Sequence, residues 1–205
     1  MKLLYEIDPK LEYQSLTKQC FIPHPKIITV HDFNEEAYVK FSKDVSDAHS
    51  TGQGIIPVII DSFGGEVYSL MGMLDVIKNS DIPIATIIQT KAMSCGIALF
   101  SAGTEGLRFM APYSTLMMHE VSGGTIDKIS EMEVSVKEAR RLNDMLYEIM
   151  AKNVGHDKGY FKKIAHKKNH TDWFISPKEA VKFNIANHIK MPQFKVKLDL
   201  EYNFG

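Results

Sequence analysis

Residues 55–60 read Ile-Ile-Pro-Val-Ile-Ile and run without a break into Asp61-Ser62-Phe63-Gly64-Gly65, after which Val67, Leu70, Leu74 and Ile77 recur at helical spacing. An apolar, β-branched run of this length reads as a buried strand, the glycine pair as a turn, and the residues beyond as a helix packed on the strand. The unit repeats. Ile84 to Ile88 is a second β-branched strand, Lys91-Ala92-Met93-Ser94-Cys95-Gly96 follows it, and a run of small and apolar residues leads to Gly103, a natural helix stop. Leu107 to Met110 and Leu116 to Met118 are two further short strands, parted by the turn-like Ala111-Pro112-Tyr113, and the second ends at His119. Regular alternation of strand, turn and helix predicts an α/β fold, in which chemistry collects at strand ends.

A chain of 205 residues has the length of one such domain, so a single domain over 1–205 is expected, with 1–25 as a distinct N-terminal segment. Apolar residues at 44% and charged residues at 24% leave no case for wholesale disorder. The net charge of -1 excludes a nucleic-acid surface built on overall basicity, and Lys162, Lys163, Lys167 and Lys168 read as the solvated face of a helix. The apolar start Met1-Lys2-Leu3-Leu4-Tyr5 is cut short by Glu6 and Asp8, too soon for a secretory signal, and no stretch has the apolar length of a membrane span. Cys20 and Cys95 form no CxxC or CxxH spacing, which points to a reducing compartment with neither disulfide framework nor zinc site. The expectation is a soluble cytoplasmic protein without cofactor, nucleic-acid partner or membrane partner.

Beyond Gly123-Gly124 the pattern changes to one long helix over 125–155, with Ile129, Met132, Val136, Ala139, Leu142, Leu146 and Ile149 on one stripe and Gly155 as its stop. Its length of roughly 40 Å exceeds what a domain of this size needs for its own core, so it should project and meet a partner. Lys158 to His170 is a basic helical stretch. Ser176-Pro177-Lys178-Glu179 opens a third helix with a cap and a proline at the first helical position, and Asp172 lies in the connection between the two.

Three residues are candidates for chemistry, and each also has a plain structural reading. Ser94, among Ala92, Cys95, Gly96 and Ala98, would by local context be a small packing residue. Its place where a buried strand turns into a helix is what exposes a hydroxyl and gathers backbone N–H groups around it, and Gly64-Gly65, a tight turn without side chains, could aim a further N–H at a substrate carbonyl. His119 ends an apolar strand, where a histidine is either a rim residue or a base. Asp172, between Thr171 and Trp173, is either a turn residue or the carboxylate that fixes a histidine tautomer. A nucleophile, a base and an orienting acid need not be close in sequence, because the fold brings them together. His166 and His170 stand four apart on the basic stretch but have no third ligand of suitable spacing, and no metal is expected.

Four ordered blocks carry a resemblance to the proteolytic subunit of the Clp protease, the ClpP family. They are Ser62-Phe63-Gly64-Gly65, Met93-Ser94-Cys95-Gly96, Met117-Met118-His119-Glu120 with Gly123-Gly124 beyond, and Asp172-Trp173-Phe174-Ile175-Ser176-Pro177-Lys178-Glu179-Ala180, within a region of similarity over residues 55 to 190. The resemblance implies a ClpP/crotonase-like fold of repeated strand-turn-helix units. It implies a serine endopeptidase with Ser94 as nucleophile, His119 as base, Asp172 as orienting acid, and the amides of Gly65 and Cys95 as oxyanion hole. The long helix becomes a handle through which heptameric rings stack into a tetradecamer around a chamber for peptides or unfolded proteins, with an AAA+ unfoldase as partner.

The chain also departs from the family. Pro57 and Ile59 stand where aromatic residues usually form the unfoldase pocket, Thr171 replaces an arginine before the acid, Thr90 replaces the first glycine of the nucleophile block, and residues 1–25 do not match the axial segment. Such divergence around an intact triad resembles phage-encoded members. Two other readings stay open: a crotonase-type acyl-CoA enzyme, which needs paired amides but no Ser, His and Asp in these blocks, and a non-catalytic ring subunit.

Overall fold

The computed structural model describes residues 2–4, 24–124, 126–195 and 199–201. Cys20 and nearly all of the N-terminal segment 1–25 lie outside the described residues. In chain order the elements are β1 (Lys2–Leu4), β2 (Ile28–Val30), α1 (Glu35–His49), β3 (Ile56–Ser62), α2 (Val67–Lys78), β4 (Ile84–Met93), α3 (Cys95–Ser101), β5 (Arg108–Met110), β6 (Thr115–Met118), α4 (Ile129–Asn153), α5 (Tyr160–Lys167), β7 (Trp173–Ile175), α6 (Pro177–Lys182), β8 (His188–Ile189) and β9 (Asp199–Glu201). β1 and β9 pair in parallel as a small separate sheet.

The main sheet runs β2-β3-β4-β5-β8, all parallel, and helices supply the crossovers that parallel pairing requires. Ile56, Val58 and Ile60 of β3 are fully buried, Leu70, Met73, Leu74 and Ile77 of α2 pack into the same core, and α3 is buried along its whole length. Apart from Met73, these buried residues fall within the apolar runs read in the sequence. Pro57 is tolerated within β3 because its pairing with β2 begins only at Val58, so the ladder bond that proline cannot donate is not needed.

β4 is longer than its apolar pattern suggests, and its extension shapes the protein. Ile60 pairs with Ile88 but Ser62 with Ala92, so β4 carries two extra residues across a bulge. A bulge bends a strand and re-aims it. Before the bend, Thr86 to Ile88 pair with β5; after it, Lys91 to Met93 pair with β6, which carries β7 antiparallel on its far edge. The departure at Thr90 is part of this bend, since Asp61 on β3 accepts hydrogen bonds from the Thr90 hydroxyl and from Lys91 Nζ at 2.6 Å. Lys91 above all, and then Thr90, hold the Asp61 carboxyl below the usual carboxylate range.

Arg108, at the start of β5, is 1% exposed and donates to Ile185 O (3.0 Å), Gly103 O (3.2 Å), Asn153 O (3.5 Å) and Asn184 O (3.1 Å). These carbonyls lie at or just beyond the C-terminal ends of α3, α4 and α6, so one guanidinium satisfies the free carbonyls and negative dipole ends of three helices.

α4 spans 25 residues, about 37 Å. Only its second half is anchored, through Leu142, Tyr147, Met150 and Ala151. Residues 129–137 are exposed all round, Ile129 at 78% and Val136 at 50%, and the Tyr68 hydroxyl donates across to Glu138 at 2.8 Å where the free half begins. α5 is shorter than the basic stretch suggested. It ends at Lys167, and Asn169 and His170 turn the chain with φ 53° and 58°, so His170 lies beyond the helix on which it was expected beside His166.

Candidate active site

The bend in β4 delivers Met93 to the edge of a turn, and Ser94 follows with φ 54° and ψ -117°. A residue with a Cβ pays about 1–3 kcal/mol to sit in so sparse a region, and surrounding structure must hold it there. Here Ser94 N donates to Met117 O at 2.9 Å, while α3 starts at the very next residue. Ser94 is the N-cap of α3 but its hydroxyl makes no capping bond; it lines the pocket beside it and lies within reach of the Cys95 thiol.

The Gly64-Gly65 turn lies directly against this serine. A Cβ built on Gly64 (φ 113°) would come 2.6 Å from Ser94 Cβ and 3.1 Å from its Oγ, and one built on Gly65 (φ 152°) would run into Phe33 O. No side chain fits at either place. Gly64 N donates to Ser62 Oγ at 3.0 Å, Glu66 N donates to Phe33 O at 2.7 Å, and the Cys95 thiol donates to Gly65 O at 3.2 Å, so the turn is tied at both ends. Burial pushes the Cys95 thiol up to about 11, which keeps it a neutral donor.

Ser94, Gly65, Cys95 and His119 line one pocket of about 60 Å³. Its remaining wall is largely apolar, with Val67, Ile97, Met118, Leu146 and Met150. Asn143 Oδ1 accepts from Val121 N at 3.1 Å and so fixes the chain just after His119 to α4. Sequence reading missed this contribution of α4, because nothing near Asn143 or Met150 in the chain marks them as neighbours of Ser94.

β6 and β7 pair Leu116 with Ile175, Met117 with Phe174 and Met118 with Trp173. His119 follows the last residue of β6, and Asp172 precedes the first residue of β7. β4 and β6 pair Met93 with Met117, so Ser94 and His119 follow the ends of two adjacent strands, while Asp172 precedes the start of the third. No hydrogen bond among the described residues yet joins the three, and Asp172 is exposed at the rim in the single chain. Met118, His119 and Tyr147 line both the Ser94 pocket and a second cavity of about 10 Å³, which Glu120, His170, Thr171 and Trp173 also line.

A model of the Clp protease family matches residues 27–193, most of the chain. This chain belongs to the Clp protease family. Membership carries peptidase chemistry on peptide substrates and assembly into oligomeric rings. The parallel-stranded α/β architecture agrees with the family fold, and no helix among the described residues is long and apolar enough to cross a membrane.

Proposed function

We propose that this member of the Clp protease family is a serine endopeptidase in which Ser94 is the nucleophile, His119 the general base and Asp172 the orienting acid. One observation carries the reading: Ser94 sits at a positive-φ elbow with its hydroxyl free of any helix-capping bond, pressed against the Gly64-Gly65 turn and in one pocket with His119. Neutral His119 takes the proton as Ser94 Oγ bonds to the scissile carbonyl carbon, and Asp172 stabilises the imidazolium that forms. The oxyanion accepts from Gly65 N and Cys95 N. Collapse breaks the C–N bond, the amine leaves with the proton from His119, and water repeats the sequence to release the acid and restore Ser94.

Assembly follows the same reading. The exposed apolar face of the free half of α4 serves as the handle by which heptameric rings stack into a tetradecamer, enclosing the peptide sites in a chamber. Pro57 is buried and Ile59 packs with Ile87 and Phe109, so the surface where an unfoldase would dock has no aromatic anchor at these two positions, and association with an AAA+ unfoldase should be weak.

The test is hydrolysis of a capped tripeptide aminomethylcoumarin with leucine at the cleaved bond. The purified chain should cleave it, and His119→Ala should abolish cleavage while sedimenting as the wild type does. Full activity in His119→Ala would remove the triad reading.

A further inference from the structure

His170 Nδ1 lies 2.6 Å from Glu120 Oε1, and His170 Nε2 lies 3.1 Å from His166 Nδ1. The chain of contacts crosses from α5 to the residue that follows His119. It starts two residues before Asp172, so one hydrogen-bonded pair brackets both His119 and Asp172.

The segment that bears Asp172 needs such a tie. β7 is three residues long and among the described residues pairs only with β6, and Asp172 precedes its first residue. Upstream, Asn169 and His170 both occupy the left-handed region that disfavours side chains bearing a Cβ. His170 N donates to Ala165 O at 3.0 Å and Thr171 N to Lys168 O at 3.2 Å, which closes the turn on α5 but not on His119. The Glu120–His170 hydrogen bond joins the turn to the chain just beyond β6. Both side chains are nearly half exposed, at 42% and 45%, and a polar contact so placed adds little to folding stability. What it does supply is registry between two strand ends.

We propose that Glu120 and His170 are positioning residues, a latch that holds Asp172 opposite His119 and so sets the geometry of proton transfer. The inference rests on the triad reading, and the experiment separates the two. Turnover of the same capped tripeptide is measured on the assembled full chain for Glu120→Ala, His170→Ala, the double variant, His170→Asn and Asp172→Asn, with thermal midpoints recorded for each.

Loosening the latch should lower kcat by roughly tenfold or more in each alanine variant, since small misplacements of a catalytic group are costly. KM and thermal midpoint should stay at wild-type values, and the double variant should lose no more than the singles, because both remove one contact. His170→Asn keeps a side-chain N–H donor and tolerates positive φ, so it should return kcat to within about threefold of wild type. If both alanine variants turn over at the wild-type rate while Asp172→Asn is inactive, the latch is refuted and the triad stands. If kcat falls only together with the thermal midpoint and asparagine does not restore it, the pair is structural and the latch is again refuted. Full turnover by Asp172→Asn would overturn the triad reading and the latch with it.

Discussion

Gly64 and Ser94 approach so closely that the glycine's missing side chain is part of the site: a Cβ at Gly64 would stand 2.6 Å from Ser94 Cβ. The elbow and the turn therefore constrain each other. Gly64→Ala must move one of them, and its φ of 113° adds backbone strain. Peptide hydrolysis should fall by about a hundredfold, as expected for displacement of a reacting group by an ångström. Gly54→Ala, where a Cβ meets nothing within 4 Å, serves as the control and should cleave at the wild-type rate. Equal rates for the two variants would contradict the close approach.

Arg108 should be the most stabilising single side chain outside the apolar core. Arg108→Met strands carbonyls at three helix ends, and denaturant titration should show a loss of about 3 kcal/mol or more. Arg108→Lys should recover less than half of it, because an ammonium cannot reproduce the planar fork that meets four carbonyls. A loss under about 0.5 kcal/mol for Arg108→Met, the range of surface changes, would contradict this role.

The Cys95 thiol predicts an alkaline limit to stability. Its proton leaves near 9.0 when free and near about 11 in the folded chain, with burial as the main cause. Between these values the unfolded chain binds fewer protons, so ionisation favours unfolding: the contribution is complete below pH 9 and is lost as pH rises toward 11. Two pKa units correspond to about 3 kcal/mol at most. Tyr147, also raised by burial, adds to the decline in wild type and variant alike. Cys95→Ala should therefore lose less stability than wild type between pH 9 and pH 11 in parallel denaturant titrations; identical slopes would rule out a buried thiol.

The free half of α4 predicts an assembly phenotype. Ile129→Asp or Met132→Asp would put an unpaired charge into any apolar interface formed there. Sedimentation velocity should show smaller particles for both variants, with helix content unchanged. Particles of wild-type size in both would move the ring contact elsewhere.

Much of this architecture is legible in the sequence because local signals and tertiary needs agree. The run Ile56 to Ile60, the Gly64-Gly65 turn, the α2 stripe and the Ser176-Pro177 start of α6 all fall where patterning puts them, and Ser176 and Glu179 close a reciprocal capping box. Two features escape for physical reasons. β4 runs on through a bulge at Gln89 and Thr90 because Asp61, which accepts from the Thr90 hydroxyl, and β6, which pairs from Lys91, hold that stretch in place of apolar alternation. α1 buries only Phe41, Val45 and Ala48 among its 15 residues, too sparse a stripe to stand out. Glu120 meeting His170, or Arg108 meeting Asn184, leaves no mark at either position, since only the fold makes them neighbours.

The central claim is that Ser94 is the nucleophile, and covalent capture tests it most directly. The purified chain is treated with a fluorophosphonate, digested, and mapped by mass spectrometry. The account predicts one phosphonylated residue, Ser94, in step with loss of peptide hydrolysis, and no label in Ser94→Ala or in denatured protein. Inactivation with the label on another residue, or full hydrolysis by Ser94→Ala, would contradict it.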